Sequence, residues 1–387
     1  MMINNTPYYV FEEKDFIENY KNLENAMKRI YSNYKVSYSY KTNYTPYICQ
    51  LVKKLGGYAE VVSDMEYKLA KKIGYSNYEI VYNGPAKGEC LEEHVLNDGI
   101  LNIDNYQEAQ RVVTISKKCS KQLRVGLRIN LNLNDKFISR FGLEGEELDE
   151  TVKLLKSNNI KIVGLHCHIS RNRDIDSWEQ RANIMVAMAD KYIDGVPEYI
   201  SLGSGMFADM DIDLKKQFSN VPTYDEYAER TLSVFAKHYQ GKEQPVVFTE
   251  PGTTVVARYL SFYTKVLNIR SIRGRNIATT DGCYEQLGEI CQLKKLPVRI
   301  NSDGKHYDKI DIMGYTCLEQ DLMYEGYQGK INIGDIIKFE NVGGYSIVFK
   351  PQFIKPNCPM YVKKENDNYL EIMRAETFDD VFDKFKF

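Results

Sequence analysis

The sequence predicts an α/β fold: a (β/α)8 TIM barrel joined to a second, mostly β domain in the C-terminal part of the chain. Two observations predict it. Runs of β-forming residues alternate with amphipathic helical patterns from about residue 36 to residue 250. After about residue 259 the long helical patterns end, and short strand-like runs follow one another.

The barrel prediction depends on eight short β-forming runs. They are Val36–Lys41, Tyr58–Val62, Glu79–Tyr82, Ile100–Ile103, Leu123–Asn130, Ile160–His168, Glu198–Leu202 and Val246–Glu250. Apolar residues at helical spacing occur between them, most clearly in Asp64–Lys72, Asn105–Cys119, Gly145–Ser157 and Ser177–Tyr192. Eight strand and helix repeats in roughly 220 residues are typical of this barrel.

The second domain is predicted from a series of shorter strand-like runs. They are Leu260–Ile272, Asn276–Thr280, Val298–Asn301, Lys309–Met313, Ile336–Phe339 and Tyr345–Phe353. Near the start of the chain, Tyr8–Phe11 has a strand pattern and precedes a predicted helix at Asp15–Tyr31. We expect that first strand to pair with the C-terminal ones. The predicted domains are therefore residues 30–258 for the barrel, and residues 1–29 with 259–387 for the β domain.

Composition excludes several classes of function. Hydrophobic residues make up 43% and charged residues 27% of 387 residues, with a formal net charge of -2. This near-neutral balance favours a small-molecule substrate over nucleic acid or a membrane surface. The first residues lack a signal-peptide pattern and no apolar run reaches transmembrane length, so we expect a cytoplasmic protein. The eight cysteines form no C-x-x-C pair, which predicts free thiols.

Polar or glycine-rich clusters follow several predicted barrel strands. Lys41 ends the first strand, and His166 and His168 lie at the end of the sixth. Gly203-Ser204-Gly205 follows the seventh, and Glu250-Pro251-Gly252-Thr253 closes the eighth. Because the carboxyl ends of barrel strands share one rim, we expect these clusters to meet at one mouth.

Each cluster suggests a chemistry and has a plainer alternative. A lysine that ends an apolar strand is desolvated, easily deprotonated and able to form an imine, although a lone lysine there more often reaches into solvent. Glu250 can keep a pyridine nitrogen protonated, or it is a solvated rim carboxylate. The backbone amides of Gly203-Ser204-Gly205 can bind a phosphate, or the segment is only a turn. The convergence of the clusters favours the chemical interpretation.

The two histidines share one face of their strand because they are two residues apart. His168 can stack on a flat ring. A metal site at His166 and His168 is the alternative, but no third ligand stands at a suitable spacing. We therefore predict no metal, and a structural role for at least one of the two histidines.

Two segments of the predicted β domain also carry reactive groups. Cys317-Leu318-Glu319-Gln320-Asp321 places a thiol and two carboxylates on one short segment, although most isolated cysteines are buried hydrophobic residues. Tyr345 follows the flexible pair Gly343-Gly344, where the alternative is a core or edge aromatic residue.

With these residues assembled, the sequence resembles the alanine-racemase-fold (fold type III) pyridoxal-phosphate-dependent decarboxylases, the family of diaminopimelate, ornithine and arginine decarboxylases. The resemblance extends from Tyr38 to about Gln352, with the motifs in the family's order. It implies pyridoxal 5'-phosphate as cofactor. It also implies that Lys41 is the Schiff-base lysine, that His168 stacks on the cofactor ring and that Glu250 faces the pyridine nitrogen.

The resemblance implies further roles for residues in both predicted domains. Gly203, Ser204 and Gly205 correspond to the family's phosphate loop, with Gly252 also at the cofactor and Tyr345 reaching the same phosphate. Glu60 stands beside the cofactor where an aspartate is usual, and Glu66 completes that motif. Cys317 corresponds to the cysteine that handles protonation at the substrate carbon, and Asp321 to the acid at the substrate's far end.

The departures from the family pattern concern phosphate and substrate. The family often has H-I-G-S where this chain has His168-Ile169-Ser170-Arg171, and E-P-G-R where Thr253 follows Gly252. Diaminopimelate decarboxylases typically have C-E-S-x-D, whereas here Leu318 follows Cys317 and the acid has moved to Glu319. We therefore expect rearranged phosphate binding, with Glu319 and Asp321 at the substrate.

The implied function is a decarboxylase that removes the α-carboxylate of a diaminopimelate-like or other diamino acid. The departures weaken the case for diaminopimelate itself and fit a specialised decarboxylase, such as those of siderophore or antibiotic pathways. A racemase uses the same cofactor but needs bases on both faces of the substrate. A non-catalytic regulatory homologue tends to lose the lysine or the cysteine, and both are present here. A small barrel-shaped cofactor carrier lacks the β domain. The resemblance also implies a homodimer in which each active site takes Lys41 from one subunit and Cys317 from the other.

Overall fold

The computed structural model describes residues 5–133, 136–288, 290–364 and 368–387. Its strands are β1 (Tyr8–Glu12), β2 (Tyr34–Ser39), β3 (Tyr58–Val61), β4 (Ile80–Tyr82), β5 (Ile100–Ile103), β6 (Arg124–Arg128), β7 (Lys161–His166), β8 (Tyr199–Ser201), β9 (Val246–Thr249), β10 (Leu260–Ile272), β11 (Arg275–Thr280), β12 (Val298–Ile300), β13 (Lys305–Met313), β14 (Leu322–Ile331), β15 (Ile336–Phe339), β16 (Met360–Lys363) and β17 (Tyr369–Met373). Its α-helices are α1 (Glu13–Ile30), α2 (Pro46–Lys54), α3 (Asp64–Ile73), α4 (Cys90–Leu96), α5 (Tyr106–Ser116), α6 (Gly145–Ser157), α7 (Ile175–Tyr192), α8 (Ile212–Lys215), α9 (Tyr224–Tyr227), α10 (Ser233–His238), α11 (Thr253–Val256), α12 (Ile290–Leu293), α13 (Ser346–Phe349) and α14 (Phe378–Phe382).

Strands β2 to β9 form a closed barrel in sequence order, and every pair is parallel. The barrel closes where β2 pairs with β9, with Tyr34 opposite Val247 and Val36 opposite Thr249. All eight predicted strands are present, and their ends differ from the prediction by at most two residues. The predicted (β/α)8 barrel is confirmed.

Two glycines make room inside the barrel for a tyrosine. A side chain at Gly164 on β7 would overlap the ring of Tyr199, and one at Gly126 on β6 would overlap its hydroxyl group. Tyr199 therefore lies across the interior, where it packs edge-on against Phe248 and donates to Asn102 Oδ1 at 2.8 Å. Val163, Tyr199 and Phe248 thus form an apolar cluster, and the Tyr199 hydroxyl joins it to the polar side chain of Asn102.

The helices between the strands have local start signals in the sequence. Ser63 caps α3 by accepting from the amide of Glu66, and Asn105 caps α5 by accepting from Glu108. Asp174 caps α7 by accepting from Ser177. Such caps satisfy amides that have no partner within the helix. The four predicted helices of the barrel region are present.

The β domain is built on one sheet with the order β14-β13-β11-β10-β1-β16-β17, and β15 joins β10 to β12. Strand β1 pairs antiparallel with β10 and parallel with β16. The expectation that the N-terminal strand pairs with C-terminal strands is confirmed. The predicted strands near 260–272, 276–280, 298–301, 309–313 and 336–339 are also present.

The predicted strand Tyr345–Phe353 is wrong. Tyr345 has a left-handed backbone with φ of 62°, and the helix α13 begins directly after it. The turn before it contains two glycines, and its apolar run is too short for periodicity to distinguish a strand from a helix. The prediction also missed β14, β16 and β17, in which tyrosines, glycines and charged residues replace a continuous apolar pattern.

The chain divides into two compact units. One comprises residues 21–207 and 220–254, and the other comprises residues 1–20, 208–219 and 255–387. The predicted boundaries at residues 30 and 258 stay a prediction. Within the described ranges, every helix is too short or too polar to cross a membrane.

Candidate active site

Lys41 and Glu60 form an ion pair at the carboxyl end of the barrel. Lys41 follows β2 in a short 3-10 turn, and its Nζ lies 2.6 Å from Oε2 of Glu60, the third residue of β3. The Glu60 side chain is only 1% exposed, whereas that of Lys41 is 30% exposed. The same carboxylate accepts from Ser39 Oγ at 2.5 Å and from Asn83 Nδ2 at 3.2 Å. The amine of Lys41 is therefore held by a fixed carboxylate while part of its side chain faces the mouth.

Glu250, directly after β9, is a second buried carboxylate at this mouth. Its Oε2 lies 3.0 Å from His166 Nε2, and its Oε1 accepts from Ser201 Oγ at 2.7 Å and Asn83 Nδ2 at 3.1 Å. Burial alone would raise the pKa of Glu250, but the neighbouring His166 and Lys41 outweigh burial and lower the pKa to about 2. Glu250 is thus an ionised carboxylate held inside the protein at neutral pH.

His168 is a neutral imidazole beside the glycine-rich loop. Burial lowers its pKa well below the usual value, and Lys41 lowers it further. Its Nδ1 accepts a long hydrogen bond of 3.4 Å from the amide of Ser204. His166 lies two residues earlier and faces Glu250 instead, and its buried Nδ1 has no partner within the described residues. The two predicted histidines therefore have different surroundings.

The loop Gly203-Ser204-Gly205 packs on the backbone that carries His168. Gly203 and Gly205 have left-handed φ values of 61° and 104°. A Cβ on Gly203 would meet Cys167 O and a Cβ on Gly205 would meet Ile169 O. Only glycine fits these positions without strain. Gly252 lies similarly close to the side chain of Thr42, next to Lys41.

The structure thus gathers the predicted barrel residues, namely Lys41, Glu60, His168, Gly203, Ser204, Gly205, Glu250 and Gly252, at the ends of neighbouring strands. The other predicted site residues lie in the second compact unit. There Cys317 and Glu319 are exposed, while Asp321 is 1% exposed. Tyr345 stacks on Phe349 with ring centroids 5.5 Å apart.

Asp321 organises the segment that carries Cys317. Its Oδ1 accepts from the amide of Tyr284 at 2.9 Å, and its Oδ2 accepts from the amide and hydroxyl of Thr316 at 3.0 and 2.6 Å. Both carboxylate oxygens are therefore engaged by the protein itself. The predicted contact of Asp321 with substrate stays a prediction, and the geometry identifies a structural role for it.

Sequence reasoning missed three groups at the barrel mouth. Asn83 donates to both Glu60 and Glu250, and its Oδ1 accepts from Asn102 at 2.8 Å. Ser201 donates to Glu250. Arg181 is buried on α7 and donates to loop carbonyls. The available signal was a polar residue within or just after an apolar strand, and, for Arg181, a charge within an apolar helical stripe.

Comparisons with known proteins identify the family of this chain. Residues 13–257 match the family described as "Pyridoxal-dependent decarboxylase, pyridoxal binding domain". Diaminopimelate decarboxylase of Methanocaldococcus jannaschii is 26% identical over 402 residues, which cover 98% of this chain and 91% of the relative. The L-glutamyl-[BtrI acyl-carrier protein] decarboxylase of Niallia circulans is 24% identical over 409 residues, covering 97% and 92%.

The fold is shared with solved structures over nearly the whole chain. The crystal structure of diaminopimelate decarboxylase from Helicobacter pylori, complexed with L-lysine, superposes with a TM-score of 0.84 at 22% identity. The superposition covers 98% of this chain and 96% of that one. The chain therefore spans these relatives almost completely, including their second domain.

Proposed function

This chain belongs to the family of pyridoxal-dependent decarboxylases, and we propose that it removes the α-carboxylate of a diamino acid with pyridoxal 5'-phosphate as its cofactor. The observation that carries the proposal is the pairing of Lys41 with Glu60 beside the ionised, buried Glu250. An amine and an ionised carboxylate held in one mouth are the two protein groups on which this chemistry depends.

The residues at the mouth fit the three functional groups of the cofactor. An amine that forms imines suits its aldehyde, and Lys41 provides one. A buried carboxylate suits its pyridinium nitrogen, and Glu250 is ionised where a protonated ring would balance its charge. A glycine loop that leaves no space for side chains suits its phosphate, and Gly203-Ser204-Gly205 has that form. The donor set therefore matches the group.

We assign the barrel residues the following tasks. Lys41 holds the aldehyde carbon, and Glu60 fixes the position of its amine. Glu250 holds a proton on the pyridine nitrogen, while His166 and Ser201 keep the Glu250 carboxylate in place. When bound, the cofactor supplies an electron sink for the electron pair left by the departing carboxylate.

The remaining cofactor contacts are also proposals. The neutral His168 covers one face of the ring, which burial favours because a charged imidazole would be costly there. Gly203, Ser204, Gly205 and Gly252 surround the phosphate together with Tyr345. Thr253 and Arg171, where the sequence departs from the family pattern, make this part of the site specific to the chain.

The β domain is proposed to supply the groups that act on the substrate. Cys317, an exposed thiol, delivers a proton to the carbon that has lost its carboxylate, directly or through a water. Glu319 is exposed on the same segment and available to a distal ammonium group. Asp321 keeps the segment in shape. A carboxylate at this place favours substrates with a second amine, such as diaminopimelate or another diamino acid of a specialised pathway.

The assay that tests this function measures carbon dioxide and amine product from a panel of diamino acids. We expect turnover of at least one of them, a yellow protein, and covalent fixation of the cofactor on Lys41 by borohydride. Lys41→Ala should bind the cofactor without forming this bond and lose turnover. A label on another lysine would overturn the site. Loss of optical rotation without release of carbon dioxide would show that the protein is a racemase and not a decarboxylase.

We also propose a cytoplasmic homodimer in which Lys41 of one subunit works with Cys317 of the other. Lys41→Ala and Cys317→Ala homodimers should each be severely impaired. After random subunit exchange half of the dimers are mixed, and each mixed dimer has one intact site, so activity should recover to about a quarter of wild type. Tagging one parent verifies the exchange. Verified mixed dimers without recovered activity would exclude the shared site.

A further inference from the structure

A buried arginine that forms no ion pair with any described residue lies against the glycine-rich loop. Arg181, on α7, is 0% exposed. Its Nη1 donates to the carbonyls of Leu202 and Ser204 at 3.0 and 2.9 Å, and its Nη2 donates to Ile169 O at 3.4 Å. Its Cζ lies 4.2 Å from the ring centroid of Trp178. One side chain thus connects the loop after β8 to the segment after β7.

Among the described residues, Asp174 attracts the charge of Arg181 without forming an ion pair with it. Buried cations are usually paired with carboxylates, since an unpaired buried charge is costly. Lys87 follows this rule: it is equally buried and lies 2.9 Å from Glu108. No ion pair in the described part of the chain includes Arg181, and its Nε has no hydrogen-bond acceptor there. A neutral donor could satisfy the same carbonyls at lower cost, so the charge itself needs an explanation.

The hydrogen bonds of Arg181 also set the direction of the loop amides. In a planar trans peptide the carbonyl and the following N–H point in opposite directions. The Ser204 carbonyl faces Arg181, so the amide of Gly205 points away from the guanidinium. No group among the residues that the structure describes accepts from this amide. The amide of Gly203 donates to Ser201 Oγ at 3.3 Å.

We propose that Arg181 is a positioning residue of an anion site: it fixes the Gly203-Ser204-Gly205 loop from behind and supplies a positive charge that a bound phosphate monoester balances. The inference rests on the proposed function, which identifies that phosphate as part of the cofactor. It explains why a cation is buried without an ion-pair partner among the described residues, and why the Gly205 amide is oriented but donates to none of them. The charge acts through a low-dielectric interior, where it is weakly screened.

The test compares the affinity of cofactor-free protein for pyridoxal 5'-phosphate with its affinity for pyridoxal, which lacks the phosphate. Protein fluorescence quenching gives both dissociation constants without an activity assay. The measured quantity is the affinity for pyridoxal 5'-phosphate divided by the affinity for pyridoxal. We expect Arg181→Gln to lower this ratio by about tenfold or more, because only the phosphorylated ligand gains from the charge and the ordered loop. A general loss of structure would weaken both ligands together and leave the ratio unchanged.

Two further variants keep the test decisive. Lys87→Met removes another fully buried cation and should leave the ratio as in wild type. Arg181→Lys retains the charge but cannot hold three carbonyls in a planar fork, so it should lower the ratio several-fold. If Arg181→Gln does not fold, the ratio of Arg181→Lys tests the inference in its place. A wild-type ratio in a folded Arg181 variant would overturn the inference. A wild-type protein that binds pyridoxal as tightly as its phosphate would instead overturn the proposed function.

Discussion

The barrel mouth and the segment around Cys317 carry the proposed chemistry in opposite ways. At the mouth, Glu60 and Glu250 are buried, and each accepts hydrogen bonds from at least two neighbouring residues. In the segment, Cys317 and Glu319 are exposed, and only Asp321 is buried. The contrast indicates that the groups proposed to hold the cofactor are fixed by buried hydrogen bonds, whereas the two groups proposed to act on the substrate, Cys317 and Glu319, stand on an exposed segment.

The largest effect should come from Glu250→Gln at the mouth. An amide cannot hold the pyridine nitrogen protonated, so we expect turnover to fall on the order of a thousandfold while the cofactor remains bound. Single-turnover rates and the cofactor absorbance of the same sample measure both quantities. Near-normal turnover would mean that Glu250 does not face the ring, and the buried charge at the mouth would then be structural.

The second effect tests whether Asp321 is structural. Asp321→Ala leaves the amides of Tyr284 and Thr316 without an acceptor, so the free energy of unfolding should fall by about 2–4 kcal/mol. Urea unfolding measures it, and Glu319→Gln, an exposed change on the same segment, is the matched control. Unchanged stability combined with a raised KM would support the predicted substrate contact of Asp321 instead.

The third effect concerns the pH dependence of stability in the barrel. Burial raises the pKa of Glu66 to about 7, and Glu60 adds to this although the Val62 amide opposes it. The unfolded carboxyl titrates near its ordinary pKa of about 4.3. The folded state therefore binds more protons between these values, and stability falls as the pH rises through this window.

Glu66→Gln should remove this loss of stability. Relative to wild type, the variant should gain about 1–3 kcal/mol between pH 5 and pH 8 in urea unfolding. The exposed Glu92→Gln serves as the control. An equal pH dependence in wild type and Glu66→Gln would show that Glu66 is ionised in the folded protein, which would extend the charged network of the mouth to α3.

The smallest effect belongs to the exposed segment. Glu319→Gln should raise KM for a diamino substrate by about two- to fivefold with little change in kcat, because an exposed charge contributes modestly and equally to binding in the ground and transition states. A substrate analogue that lacks the distal amine should have about the same KM in wild type and in Glu319→Gln. A loss in kcat alone would instead link Glu319 to the chemistry at the reacting carbon.

Different parts of the molecule were predictable from the sequence for different reasons. The barrel strands are buried on both faces and appear as continuous apolar runs, so Val246–Glu250 and its counterparts were readily identified. The roles of Asn83 and Arg181 depend on partners far away in sequence. Asn83 donates a hydrogen bond to Glu250, and Arg181 donates one to Leu202. An asparagine after a strand has the same local pattern whether it caps a turn or bridges two carboxylates.

Errors in the β domain have two causes, one local and one tertiary. Tyr345–Phe353 is apolar enough for a strand, but the left-handed Tyr345 ends the extended backbone before the run begins. Strand β14 alternates tyrosine, glycine and charged residues, and it is specified by its pairing with β13 more than by its composition. Tertiary pairing decided this strand, and a single sequence carries little record of such pairing.

The hydrogen bonds beneath the mouth all run in one direction. Tyr199 donates to Asn102, Asn102 donates to Asn83, and Asn83 donates to both carboxylates. Amide groups do not pass protons along as hydroxyls and waters do, so this chain is a row of aligned dipoles and not a proton wire. It places two asparagines, which do not titrate, between Tyr199 and the two carboxylates. No proton therefore reaches Glu60 or Glu250 along this row.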